Sequence, residues 1–201
     1  VSLAKKQVYG QVAVDGLYGP TETIIIADHR ANPTLCAADL LAQAEHDLLA
    51  TAIMITPSRS LAREVQAAVG RQMETLSRSE ILVQSLRDRG CIVLAPDIET
   101  AIKIADEFAP EHLCLVVTQP QRWAERVRNA GCLFVGEDSC EVLGDYVSGP
   151  NHILPTGGTA RFASSLNVLD FVRIMNVVQL DEQTSTRLIP TAARLARAEQ
   201  L

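Results

Sequence analysis

Lysine is almost missing from this chain, occurring only at Lys5, Lys6 and Lys103. Lysine and arginine together number 18 against 24 aspartates and glutamates, for a formal net charge of −6. That balance argues against nucleic acid or an anionic membrane surface as the main partner. No apolar run approaches the roughly 18 residues of a membrane span, and no basic-plus-apolar leader opens the chain. No Gly-x-Gly-x-x-Gly follows a strand pattern, so the ordinary dinucleotide fingerprint is absent. There is no internal repeat and no low-complexity tract. The five cysteines, Cys36, Cys91, Cys114, Cys132 and Cys140, show no C-x-x-C spacing. Most lie in apolar runs, which reads as buried reduced thiols of a cytoplasmic protein rather than disulfides. Cys140 has no neighbouring base or positive charge that would make it a nucleophile.

What is present is apolar residue, 47% of 201 positions, enough for a core in one large domain or one and a half small ones. The run Thr23-Ile24-Ile25-Ile26 is β-branched throughout, the mark of a strand buried on both faces. Asn32-Pro33 supplies an N-cap and an N1 proline for a helix through Asp47. Further strands are expected at 49–56, 91–95, 113–118 and 132–136. Helices are expected at 60–76, 79–89, 97–108 and 120–130. This alternation predicts an α/β fold with a doubly wound, mostly parallel sheet. Ligands on such sheets gather at the carboxyl ends of the strands, and the segment after the last strand leaves from one of those ends. Residues 164–175 read as helical. A last helix over 181–201 is expected to kink or restart at Pro190. The division expected is an α/β domain over 1–160 and a helical C-terminal tail over 161–201.

Gly144 to Gly158 is the longest stretch without periodicity. Its glycines and prolines set unusual backbone angles, and Tyr146, Val147, Ile153 and Leu154 offer apolar anchors, so it reads as a binding loop rather than disorder. It carries Asp145 and His152, a metal-ligand or acid–base pair of residue types. Two other places break pattern. In the first main helix Asp39, Gln43 and His46 share one polar stripe among apolar residues. That stripe is either a solvated edge or a place where Gln43 and His46 approach a common metal. Between a helix and a strand, Pro110 ends the helix and places Glu111 and His112 at an exposed turn. Adjacent carboxyl and imidazole groups suit general acid–base work, although surface Glu-His pairs without a role are common. These residues alone support a metal-binding α/β protein, with hydrolase and oxidoreductase equally open.

Five strings occur in order: Gly-Pro-Thr-Glu (19–22), Ala-Ala-Asp-Leu-Leu-Ala-Gln-Ala-Glu-His (37–46), Ala-Pro-Glu-His-Leu (109–113), Gly-Asp-Tyr-Val-Ser-Gly-Pro-Asn-His-Ile-Leu-Pro-Thr-Gly-Gly (144–158) and Ser-Ser-Leu (164–166). Together they resemble the C-terminal half of the histidinol dehydrogenase family, over essentially the whole chain. The resemblance implies a Rossmann-like, aldehyde-dehydrogenase-like fold and the NAD-dependent oxidation of L-histidinol to L-histidine through an aldehyde. It also implies zinc held by Gln43, His46 and Asp145, and an acid–base pair of Glu111 and His112. Thr21, which stands where the family usually has serine, His152 and Glu199 resemble substrate contacts, Glu199 reaching the substrate from the partner subunit. The partner implied is a second copy in an intertwined homodimer.

The resemblance also implies a further zinc ligand, a histidine a few residues after Leu201, and an N-terminal half supplying most NAD contacts. The chain opens on Val1 rather than Met and closes on what reads as an unfinished helix, so it is expected to be a fragment with little or no turnover. Two other functions compete. One is a related zinc- and NAD-dependent dehydrogenase of another amino or sulfonated alcohol. The other is a non-catalytic binding or assembly module, against which the presence of Glu111 and His112 counts.

Overall fold

A computed structural model describes all residues, 1–201. The chain separates into two compact units, Val1–Asn167 and Val168–Leu201.

The first unit is built on five parallel strands: β1 (Glu22–Ala27), β2 (Thr51–Thr56), β3 (Gly90–Leu94), β4 (His112–Val116) and β5 (Cys132–Val135). Their order in the sheet is β3-β2-β1-β4-β5, and every pairing is parallel. The expected doubly wound sheet is therefore the observed one, with its change of winding direction between β1 and β4. Helices α2 (Pro33–Ala44), α3 (Arg59–Met73) and α4 (Ser79–Arg89) cover one face, where Ile25, Met54 and Cys114 pack with Leu40, Leu41, Leu61, Val65 and Leu82. Helix α5 (Ile98–Phe108) and the short α6 (Pro120–Ala124) cover the other, where Ile24, Ile26, Ile55, Leu113 and Leu115 meet Ala101, Ile102, Ala105 and Trp123. The β-branched run of β1 thus feeds both layers in alternation. Each isoleucine so buried contributes about 1.5–3 kcal/mol from removal of apolar area from water. A short N-terminal helix, α1 (Ser2–Val8), buries nothing.

Two caps act as the sequence suggests: Asn32 accepts from Thr34 N and Asp97 from Thr100 N. The helix expected from residue 60 starts at Arg59, because Ser58 accepts from Leu61 N. Three helix ends in the first unit differ from expectation, among them α3, which stops at Met73 rather than 76. Helix α2 stops at Ala44, not Asp47, because Asp47 captures Leu49 N with its carboxylate and Ala50 N with its carbonyl, closing a turn instead. Helix α6 stops at Ala124 rather than reaching 130. There the carboxylate of Asp106 takes the amides of Arg128 and Asn129 away from the helical ladder.

The Gly144–Gly158 segment is also corrected at its start. It does not leave β5 as irregular chain: Glu141–Tyr146 forms helix α7. Tyr146 and Val147, expected as anchors, are 82% and 75% exposed, and Leu154 at 3% carries the anchoring with Pro155 and Thr156. In the second unit the helix expected over 164–175 is only a 3-10 turn at Val168–Phe171. Its side chains are exposed, and an isolated short helix without a buried face is marginal in water. Helix α8 (Glu182–Ala198), capped by Asp181, continues unbroken through Pro190 instead of restarting there, giving up one backbone hydrogen bond. No helix is long and apolar enough to cross a membrane.

Candidate active site

The site lies at the amino ends of the central strands, not at the carboxyl ends where the sheet type places ligands. At the carboxyl side the crevice between β1 and β4 is narrowed by a bond across it. Asp28 accepts from Thr118 N at 2.6 Å and Arg30 N at 2.9 Å, leaving a cleft of about 290 Å³. At the amino side Thr21 precedes β1 and His112 opens β4, and Thr23 pairs with His112 in the sheet register. Helix α7 returns from the far end of β5 to this edge. A cavity of about 810 Å³ results, lined by Thr21, Gln43, His46, Glu111, His112, Glu141, Asp145 and His152 among others. It gathers every metal-ligand, acid–base and substrate residue expected from the resemblance except Glu199, which is exposed at the C-cap of α8 in the second unit. Asp39, from the polar stripe of α2, does not line it.

The Glu-His turn is not exposed. Ala109 adopts a left-handed conformation (φ 55°) as the C-cap of α5, which turns the chain so that Glu111 and His112 enter the sheet edge 8% and 3% exposed. A non-glycine residue in this region is strained, and here the strain sits just before Glu111 and His112. Glu111 is fixed by Glu22 N, which donates to its Oε2 at 3.1 Å. The side chain of Glu22 in turn accepts from Gly157 N, and Gly19 N donates to Thr156 Oγ1 at 2.6 Å. These bonds clasp the Gly-Pro-Thr-Glu segment to the Leu-Pro-Thr-Gly part of the loop, closing one wall of the cavity. Gly157 and Gly158 have φ of 61° and 78°, so the loop needs glycine there.

His112 lies among carboxylates. Its Nε2 is 3.2 Å from Asp145 Oδ1, and its Nδ1 is 3.5 Å from Glu141 Oε1 and 3.9 Å from Glu111 Oε2. Burial opposes the charged ring, but Asp145, Glu141 and Glu111 outweigh it and raise the imidazole to about 9. Burial pushes the Glu141 carboxyl up to about 7, against the pull of His112 and of a hydroxyl bond from Thr23. Burial likewise raises Asp39, on α2, to about 6.

Gln43 is buried and donates from Nε2 to Thr21 Oγ1 at 3.0 Å, which leaves the amide oxygen as the atom that could meet a cation. His46 is exposed just past the end of α2, its N bonded to Gln43 O. Amide oxygen, imidazole and carboxylate in one cavity form a donor set suited to a borderline divalent cation such as zinc. A tighter group, His112, Glu141 and Asp145, has ligand atoms within 4.8 Å of one another. Both nitrogens of His112 already face carboxylates in ion-pair geometry, so this triad reads as a charge cluster in the cavity wall. Glu141 went unnoticed in the sequence. The available signal was its spacing of four from Asp145, which puts both on one face of α7.

These features define a class: a parallel α/β protein with a buried Glu-His pair and a mixed oxygen–nitrogen donor set at the amino edge of its sheet. The chain belongs to the histidinol dehydrogenase family, whose model matches residues 1–201. It is 50% identical over its full length to a histidinol dehydrogenase of Dehalococcoides mccartyi and 49% identical to one of Thermus thermophilus. It covers 46% and 48% of those proteins, so the chain spans about half the length of the curated relatives it matches. The crystal structure of histidinol dehydrogenase from Elizabethkingia anophelis superposes with a TM-score of 0.92 at 36% identity, over 98% of this chain and 46% of that one.

Proposed function

We propose that this chain carries the acid–base pair and the metal-ligand side of a histidinol dehydrogenase, which oxidises L-histidinol to L-histidine with NAD. The observation that supports this reading is the convergence of Glu111, His112, Gln43, His46, Asp145, Thr21 and His152 on one cavity in a chain of this family. In total one alcohol, two NAD⁺ and one water become a carboxylate, two NADH and three protons.

His112 takes the hydroxyl proton as hydride leaves the carbinol carbon for the nicotinamide. Glu111, oriented by Glu22 N, accepts a proton from the water that adds to the aldehyde. His112 returns its proton to the aldehyde oxygen as the hydrate forms, and then takes a hydroxyl proton of the hydrate as the second hydride leaves. The surrounding carboxylates favour imidazolium; were Asp145 to engage a cation, it would offer less charge to Nε2, which would favour the neutral ring that serves as base. Gln43, His46 and Asp145 would hold zinc, which supplies a Lewis acid that orients the substrate's amino and imidazole nitrogens. Thr21 and His152 line the same cavity as substrate contacts. Glu199 of a second copy is assigned to the substrate as well, in a homodimer.

The test is thermal denaturation of the chain with zinc, then with zinc and L-histidinol. Ligand at about a hundredfold over its dissociation constant adds roughly 2.7 kcal/mol, which for this size raises Tm by roughly 5–10 °C. The expected result is a rise with zinc, a second rise with histidinol, and no zinc response in Gln43→Ala or His46→Ala. A zinc response undiminished in both variants would refute the ligand assignment. A response to unrelated amino alcohols equal to that for histidinol would refute the substrate.

A further inference from the structure

We propose that Glu141 is the positioning residue for His112, accepting the Nδ1 proton and thereby fixing which imidazole nitrogen serves the cavity. The proposal rests on the reading of His112 as the proton-transfer group and adds a residue to which that reading gave no role.

His112 Nδ1 is sealed from solvent and has no formed hydrogen bond. A buried N–H in that state forfeits its hydration, so it must be aimed at an acceptor. Glu141 Oε1 at 3.5 Å is the nearer carboxylate oxygen. Glu111 Oε2, at 3.9 Å, already accepts from Glu22 N. Glu141 itself is held: the Thr23 hydroxyl donates to Oε2, leaving Oε1 for the ring.

The backbone explains why one helix can do this. Glu141 and Asp145 are one turn apart on α7 and present an acceptor to each nitrogen of the same ring. Gly144 between them allows α7 to lie directly on Phe134, and the Phe134 ring packs against His112 with centroids 5.9 Å apart. The imidazole is thus gripped on two nitrogens and on its ring. With the Nδ1 proton committed to Glu141, the exchanging proton is the one on Nε2, beside Asp145 in the cavity wall.

The experiment is a two-bond ¹H–¹⁵N correlation spectrum of the ¹⁵N-labelled chain, whose histidines number four. The His112 pattern is assigned by its loss in His112→Asn. Spectra are followed as pH is raised past about 9, where the wild-type ring gives up one proton; the expected neutral pattern keeps Nδ1 protonated. Glu141→Leu removes the acceptor at similar volume and moves the neutral ring to the Nε2–H tautomer. Glu141→Gln keeps an acceptor oxygen and restores Nδ1–H. Glu141→Asp, which withdraws the carboxylate by one methylene, gives a mixture and serves if the leucine variant does not fold.

An unprotonated Nδ1 in the wild type overturns the proposal, as does an unchanged pattern in Glu141→Leu or Glu141→Asp. In an active enzyme of the relatives' full length, Glu141→Leu lowers kcat on the order of 10²-fold while KM and zinc content hold, with partial recovery in Glu141→Gln. An enzyme that ignores histidinol but shows the Nδ1 proton on Glu141 would sink the functional reading alone. Normal turnover of histidinol with the opposite tautomer would sink this one alone.

Discussion

Gly144 stands between the two carboxylates of α7, and the structure makes Gly144→Ala a sharp test of how the site is held. A Cβ at this position would run into the Phe134 ring, contacting Cε1 and lying 2.8 Å from Cζ. Phe134 is 6% exposed within the layer that includes Cys114 and Leu41, so its ring has little room to retreat. Overpacking of this kind typically costs about 1–3 kcal/mol. Alanine recovers roughly 0.5–1 kcal/mol relative to glycine inside a helix. The net expectation is a loss of about 1–2 kcal/mol, equivalent to about 3–7 °C in Tm for a chain of this size. Urea unfolding measures it, with Phe134→Leu as the second arm of a double-mutant cycle. If the clash is the cause, Gly144→Ala costs at least about 1 kcal/mol less once the ring is gone. The same cycle should register at His112, because the ring that is pushed also packs against the imidazole. A Gly144→Ala protein as stable as wild type, or one equally destabilised in both backgrounds, refutes the argument that glycine is there to bring α7 onto Phe134.

Asp39 supplies the pH prediction. Its carboxyl is raised by burial to about 6 from 3.8, so the protonated form favours the fold: its contribution is whole below about pH 3.8 and lost as pH rises through about 6. Asp39→Asn should therefore match wild type near the low end of that window and exceed it above neutral pH by about 1 kcal/mol, after discounting for the partial exposure of the side chain. Denaturant melts across pH check this, and a gap that does not grow with pH refutes it. Thr156→Val deletes the acceptor for Gly19 N and should cost about 1–2 kcal/mol as a part-buried donor is left unpaired. It should also weaken histidinol binding by loosening the clasp beside Thr21, measurable by calorimetry, and unchanged affinity would mean the clasp does not shape the cavity.

The sheet was readable because its signal is local and redundant. Ile24 to Ala27 is apolar on both faces, and only a strand between two helix layers buries both. The capping residues Asn32, Ser58 and Asp97 each announce a helix through a bond to an amide two or three residues on. The misplaced boundaries have a different origin. Asp106 ends α6 from 22 residues away, and no local pattern reveals that an aspartate in one helix will capture the amides of another segment. The helix expected over 164–175 failed for the complementary reason: the periodicity is present, but those side chains find nothing to bury against within their own unit.

The site was legible as a set of residue types and illegible as a place. Topology points to the carboxyl ends of β1 and β4, and the catalytic strings give no direction along the strands. Two facts decide the matter, and both are tertiary. Asp28 commits its carboxylate to Thr118 N and Arg30 N, and the cleft at that end is about 290 Å³ against about 810 Å³ at the amino side. Meanwhile α7 carries Glu141 and Asp145 back to the strand beginnings, where Thr23 and His112 are neighbours. Burial then changes what the residues are. A histidine on an exposed turn would titrate near its ordinary value, whereas His112 at the sheet edge sits against three carboxylates and is driven well above it. The chemistry of His112 is thus set less by its own motif than by a helix whose Asp145 lies 33 residues further along the chain. That helix is also the one element of the site whose regular structure left no mark in the local pattern.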